Sequence, residues 1–185
     1  TPYLRALAQE IVGDETNPVR KAKKIYDYIT THVMYSYVRS YFTIEQQATF
    51  TATNLKGDCG LQALLFITLC RIVGVPARWQ SGLYACPKNI GCHDWAQFYI
   101  ESYGWLYADA SFGGAAWRAG DLERWEFYFG NLDPYRIPTT CEYQSDFYFP
   151  KKYLRQDPYD NQMGEAEYED QGLLVGTDFD TKHEK

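Results

Sequence analysis

A chain of 185 residues, 45% of them hydrophobic, suits one domain with a real core and at most an appended tail. Its net charge of −6 and pI near 5.1 leave no basic stripe to meet phosphates, which argues against a nucleic-acid partner. No apolar run reaches the roughly 20 residues that cross a bilayer, so no membrane span is expected. The 17 Tyr, 10 Phe and 5 Trp read first as a sheet rich in β-formers, some of them presenting hydroxyls.

Taken in chain order, residues 2–12 read as a short helix stopped by Gly13. Asn17-Pro18 opens a better one, since Asn is a favoured N-cap and Pro fits the first helical position. Val19, Ala22, Ile25, Tyr26, Ile29 and Val33 follow at three- and four-residue steps and form one apolar stripe. Residues 33–42, rich in Tyr, Val and Phe, predict a strand or extended segment. Residues 43–57 lack periodicity, and Asn54 and Gly57 mark a loop. Residues 59–73 give the strongest helix: Leu61, Leu64, Leu65, Thr68, Leu69 and Ile72 keep the period while nearly every other position from Ala63 to Val73 is also apolar, so burial on most sides is expected. Gly74 is placed for a left-handed C-terminal cap, and Pro76 prevents continuation.

Three strands follow, at residues 77–85, 93–101 and 105–110, with a turn at Ser102-Tyr103-Gly104, and they suggest an antiparallel meander. Beyond residue 111 the chain is rich in Gly, Pro and aromatics, and Trp117, Trp125, Phe127, Tyr128 and Phe129 are candidates to cover one face of the sheet. Helices first and strands after make the class α+β. The expected division is a main folded domain over 1–150 and an acidic, Tyr-containing extension over 151–185. That extension carries nine Asp or Glu against five Lys or Arg and is a lid or docked tail, with Tyr153, Tyr159 and Tyr168 as its anchors.

The chemistry concentrates at three positions. Cys59 stands at the mouth of the buried helix, in Gly57-Asp58-Cys59-Gly60. A helix start offers unpaired N–H groups and partial positive charge, which favour a thiolate and can hold an oxyanion. Asp58 is placed to cap the helix, and the flanking glycines would let a substrate carbonyl approach. An isolated Cys is more often a small buried residue, a reading that suits Cys70 in mid-helix. His93 opens a strand and is the histidine with a supporting context among three; His32 ends a helix and His183 lies in the tail. Asp109 closes the next strand, where a carboxylate can hold an imidazole in its working tautomer. In a hairpin centred near residue 102 or 103, His93 falls opposite about residue 112, so Asp109 is a few residues off register on the same face. Asp94 is the rival carboxylate, but strand alternation points it away from His93.

Two other motifs fail. Cys86, Cys92 and His93 lack the paired short spacings of a zinc site, so no metal or cofactor is expected. Gly113-Gly114 is too short for a nucleotide loop and no convincing helix follows it. Cys86 and Cys92 bracket a turn-rich segment and either close a small disulfide loop or remain two thiols.

Gly57-Asp58-Cys59, followed by Ala63, Leu64, Leu69, Cys70, Arg71, Gly74, Val75, Pro76, Ala77 and Arg78, resembles the core signature of bacterial transglutaminase-like proteins. The resemblance continues through His93-Asp94-Trp95 and through Gly104-Trp105 to Asp109, and covers roughly residues 17–112. It implies a papain-like cysteine-protease fold, N-terminal helices with a buried catalytic helix on an antiparallel sheet, in which Cys59 is nucleophile, His93 base and Asp109 orienting acid. Members of that family include cross-linking enzymes, peptidases, amidases and inactive relatives. The calcium dependence of the animal cross-linking enzymes does not carry over to a chain without their companion β-domains. Tyr35 and Tyr37 are candidates for a second oxyanion donor.

The expected reaction is thiol-dependent acyl transfer on an amide or peptide bond of a protein or peptide substrate, with hydrolysis favoured over cross-linking. The rival is a non-catalytic module that grips a peptide or cell-wall fragment. Thr1 in place of an initiator Met fits a trimmed chain; no signal peptide is visible, and the resemblance leans toward a secreted or cell-surface setting.

Overall fold

The computed structural model describes residues 1–182; residues 183–185, His183 among them, lie outside the described part. The chain forms two compact units, one from Thr1–Trp79 with Asp94–Asp133, the other from Gln80–His93 with Pro134–Lys185. The architecture mixes helices with an antiparallel sheet, the α+β class expected.

The first unit opens with α1 (Pro2–Val12), whose N-terminus is capped by the Thr1 hydroxyl, and α2 (Pro18–His32), where Asn17 Oδ1 accepts the Arg20 N–H at 3.1 Å. The α2 stripe buries Ala22, Ile25, Tyr26 and Ile29 completely, and Val33 beyond the helix end nearly so. The extended segment expected after it shrinks to a two-residue strand, β1 (Met34–Tyr35), paired in parallel with β2 (Lys56–Gly57). Between them residues 43–57 are not the loop expected. A 3-10 turn at Tyr41–Thr43 is followed by α3 (Gln47–Asn54). This helix has weak amphipathicity and no side-chain N-cap, so sequence alone gives no sign of it. Burial of Thr51 and Ala52 holds it, and the Thr51 and Thr53 hydroxyls bond back to the Gln47 and Thr49 carbonyls at 2.9 Å. Gly57 allows the approach of α3 to the next helix: a Cβ there would lie 2.9 Å from Leu61 Cβ and 3.2 Å from Thr51 Cγ2.

That next helix, α4 (Cys59–Ile72), is the centre of the unit. Leu61, Leu65, Phe66, Leu69 and Cys70 are fully buried, and the Phe66 ring meets Phe98 edge-on at 5.8 Å between centroids. Each such side chain contributes about 1.5–3 kcal/mol through burial. The helix ends as expected, with Gly74 at φ +83° and the Val75 N–H returning to the Cys70 carbonyl at 2.9 Å.

The strands are β3 (Ala77–Cys86), β4 (Asn89–Ile100), β5 (Gly104–Ala108), β6 (Phe129–Gly130) and β7 (Arg136–Thr140). In the first unit they lie in the order β6-β5-β4-β3. The β4–β5 ladder runs from Ile100↔Gly104 to Ala96↔Ala108, so continuing it places Asp109 opposite Trp95. β4 begins four residues earlier than expected, at Asn89 rather than 93.

After β5 the structure departs from the sequence reading. Two helices, α5 (Ala110–Arg118) and α6 (Leu122–Phe127), stand where aromatic cover was expected. Their N-caps are Asp109 and Asp121, whose carboxylates accept the Phe112 and Arg124 N–H groups. Phe129 does lie on the sheet, stacked on Phe98 at 5.1 Å, whereas Trp117 and Trp125 pack on each other at 4.8 Å. Gly113 and Gly114 sit inside α5. Gly113 is there because the Tyr26 hydroxyl occupies the space a Cβ would need. That hydroxyl donates to the Trp125 carbonyl at 2.7 Å, and Trp125 Nε1 donates to Thr30 Oγ1 at 2.9 Å, so α2 holds α6 through two partly buried hydrogen bonds.

In the second unit β7 pairs with β3, whose other neighbour is β4. A bulge falls between Ser81 and Gly82, and the Ile137 carbonyl fills the place of a side chain at Gly82. Beyond β7 the described residues contain no helix, only the bridges Glu167↔Gly172 and Val175↔Phe179. Arg155 ties the segment together: its guanidinium meets the buried Glu165 carboxylate at 2.9 Å, donates to the Ser145 carbonyl at 3.0 Å and lies 4.1 Å from the Phe147 ring centroid. Tyr159 packs on Tyr143 and Tyr153 on Gly172, but Tyr168 is 62% exposed and anchors nothing with its ring. Among the described residues no helix is long and apolar enough to cross a membrane.

Gly113→Ala is expected to lower stability by about 1–3 kcal/mol through overpacking against Tyr26. Tyr26→Phe in the same background removes the obstructing oxygen and should recover part of that loss. Thermal unfolding of the two single variants and the double variant measures the coupling, and additive losses would show that the two residues do not compete for the same space.

Candidate active site

The chain reaches Cys59 by a short, tightly fixed route. β2 ends at Gly57 and Asp58 caps α4, its Oδ1 accepting the Leu61 N–H at 3.0 Å and the Tyr41 hydroxyl at 2.7 Å. Gln62, almost fully buried, donates from Nε2 to the Gly57 carbonyl at 2.9 Å. Cys59 is therefore the first residue of a helix whose start is pinned on both sides.

Its half-buried thiol donates to Asp94 Oδ2 at 3.5 Å. Asp94 is 4% exposed, on β4. The sequence reading set Asp94 aside because alternation points it away from His93; the structure puts its carboxylate against the Cys59 thiol. Gly60 explains how. A Cβ at that position would collide with the Tyr41 hydroxyl and would come within 2.8 Å of Asp94 Oδ2 and 3.1 Å of Trp79 Cη2. The glycine was expected to clear a path for a substrate carbonyl; it admits Asp94, Tyr41 and Trp79 instead.

The electrostatics follow from these neighbours. Burial pushes the Cys59 thiol well above its ordinary pKa, and the Asp94 and Asp58 carboxylates push it further in the same direction. A hydrogen bond from the Asp94 backbone N–H opposes them, and Asp109 adds a weaker upward push. Burial and the neighbouring carboxylates thus act against the thiolate that a helix N-terminus favours. Tyr35 joins the same enclosure: burial, then the Cys59, Asp58 and Asp94 charges, raise its phenol to about 12, and a hydrogen bond links it to Cys59. Asp58 is itself raised, chiefly by burial, while the Leu61 N–H and Tyr41 hydroxyl hold it down. Of the two tyrosines expected as oxyanion donors, Tyr35 lies at the thiol and Tyr37 is 96% exposed and stands away from it.

Asp109 is fully buried in the same unit, at the junction of β5 and α5. Its Oδ1 accepts the Phe112 N–H at 2.9 Å and the Ser111 hydroxyl at 3.0 Å. His93 is 5% exposed on β4, at the end of its own unit's first segment, and its backbone carbonyl accepts Gln162 Nε2 at 3.0 Å. Cys70 is buried in mid-α4, and burial alone raises its thiol. All five cysteines are unbridged, Cys86 and Cys92 included. Among the described residues no cluster of His, Cys, Asp or Glu has the arrangement of a metal site.

Sequence comparison matches residues 5–110 to the model of the Transglutaminase-like superfamily. No curated protein sequence matches the chain. Among solved structures, a proposed cysteine protease from Cytophaga hutchinsonii is similar over 60% of this chain and 37% of its own, at 31% identity and a TM-score of 0.52. The periplasmic domain of TgpA from Pseudomonas aeruginosa is similar over 68% of this chain and 47% of its own, at 19% identity and a TM-score of 0.52. The chain spans less than half the length of either.

Asp94→Asn removes a negative charge beside the sulfur and keeps the side chain's shape. The thiol pKa should then fall, so the alkylation rate of Cys59 by iodoacetamide at neutral pH should rise and its pH profile should shift to lower pH. Peptide-resolved mass spectrometry reads Cys59 apart from the exposed Cys92 and Cys141. An unchanged profile would mean that the carboxylate does not control the thiol.

Proposed function

Because the chain belongs to the transglutaminase-like superfamily, we propose that it is a thiol-dependent enzyme acting on an amide or peptide bond, with Cys59 as nucleophile, His93 as general base and acid, and Asp109 as the group that orients the imidazole. The observation that carries this reading is the placement of Cys59 at the capped start of a buried helix, against the side chain of the residue that follows His93 in the chain. The likeness to a proposed cysteine protease points the same way.

The raised thiol refines the chemistry. A thiolate is disfavoured in this carboxylate-lined enclosure, so in this reading the proton leaves Cys59 as the substrate carbonyl arrives. His93 takes it, the sulfur bonds to the carbonyl carbon, and charge builds on the carbonyl oxygen. The first backbone N–H groups of α4 and the Tyr35 hydroxyl are the donors available for that oxygen. The C–N bond breaks as His93 returns the proton to the departing amine, leaving a thioester on Cys59. Water, activated by the same imidazole, completes hydrolysis. An amine in place of water would give transfer. We favour water, because a transferring enzyme needs a dry channel for its amine and no feature of the site supplies one.

Cys59→Ala should abolish turnover of an amide substrate with the fold intact, and His93→Ala should lower kcat/KM by about 10²–10⁴-fold. Rapid acid quench and intact-mass measurement should capture an acyl adduct on Cys59. Supplying a primary amine and comparing free acid with transferred product separates hydrolysis from cross-linking. Full activity of Cys59→Ala would end this reading.

A further inference from the structure

The walls of the thiol enclosure carry a preference of their own. The charges that act most strongly on Cys59 are Asp94, Asp58 and Asp109, all carboxylates. Asp58 is engaged as helix cap and Tyr41 acceptor, and Asp109 is sealed at the start of α5. Asp94 Oδ2 lies within hydrogen-bond distance of the sulfur. Tyr35, hydrogen-bonded to Cys59, and Tyr41 and Trp79, which crowd the adjacent Gly60, are aromatic, and aromatic faces tolerate cations and give nothing to anions. A reacting group that reaches the sulfur must come within a few ångströms of Asp94, in surroundings where water screens the charge poorly.

Resting on the proposed role of Cys59 as nucleophile, we propose that Asp94 makes this site selective for acyl groups that carry a positive charge beside the reacting carbonyl. The simplest such group is the free N-terminal residue of a peptide, whose ammonium is one carbon from its carbonyl. Asp94 acts here as a specificity-determining residue: it pairs with the ammonium and in doing so gives up its hold on the thiol hydrogen. An acyl group with a carboxylate at the same place meets like charge and is rejected.

Three methanethiosulfonate reagents of similar size test this on the whole protein: a neutral methyl, a cationic aminoethyl and an anionic sulfonatoethyl derivative. In each the Cys59 sulfur attacks the sulfenyl sulfur, a disulfide forms, methanesulfinate leaves, and the thiol proton passes to solvent. Rates are resolved by peptide mapping at Cys59 and divided by the rate of the same reagent with a free cysteine peptide, which removes intrinsic reactivity. The ratio of cationic to anionic rates is independent of how much thiolate is present. It should be about tenfold or more in the native protein, fall toward one in Asp94→Asn, and survive in Asp58→Asn, where Asn still caps the helix. A native ratio near one, a ratio that persists in Asp94→Asn, or one lost only in Asp58→Asn overturns the assignment. Brisk reaction with the neutral reagent alongside a ratio of one would sink this selectivity and leave the nucleophile standing. Silence of Cys59 toward all three, pursued up to the highest pH at which the fold holds, would overturn both.

Discussion

The start of α4 is the constraint on which the first unit depends. A helix buried on nearly all sides cannot leave its first N–H groups to water, so partners must come from the chain itself. Asp58 accepts from the Leu61 N–H, and the Gln62 side chain fixes the end of β2 by donating to the Gly57 carbonyl. Tyr41 ties the cap to the 3-10 turn. These contacts bring β2, the turn and the helix to one point, and Cys59 is the residue left at that point. The Cys59 thiol is held by the same hydrogen bonds that let an apolar helix begin inside a protein.

That solution has an electrostatic consequence. A carboxylate is a good N-cap because it carries negative charge to the positive end of a helix. The same charge, with Asp94 on the other side, works against a thiolate. Burial and both carboxylates push the Cys59 thiol upward, so the cap that lets the helix begin also raises the cost of a thiolate at its first residue.

The sequence made part of this legible and hid the rest for identifiable reasons. α1, α2 and α4 announce themselves through caps, periodic apolar residues and a terminal glycine, and the strand order of β3, β4 and β5 follows from alternation and turns. α3 and α5 are invisible because their residues are poor helix formers by themselves: threonines in one, paired glycines in the other. Both are held by what they pack on, α3 by the burial of Thr51 and Ala52, α5 by the Tyr26 hydroxyl that Gly113 accommodates. At the site, Cys59 and the Asp58 cap were readable from local pattern. Asp94 was not, since strand parity, which places one residue relative to the next, does not say what lies across the strand from it. Tyr41 and Trp79 carried no signal at all, being two among many aromatics.

Gly60 ties three distant parts of the chain into one unit of variation. Any side chain at 60 takes up space now held by Tyr41, Asp94 and Trp79. A relative bearing alanine there must carry a smaller or differently directed residue at 41 or 94, and so must surrender either the tie to the helix cap or the carboxylate at the sulfur. Glycine at 60 and acid at 94 should therefore be inherited together, and the identity of one position forecasts the charge around the cysteine at 59 in a chain known only by its sequence.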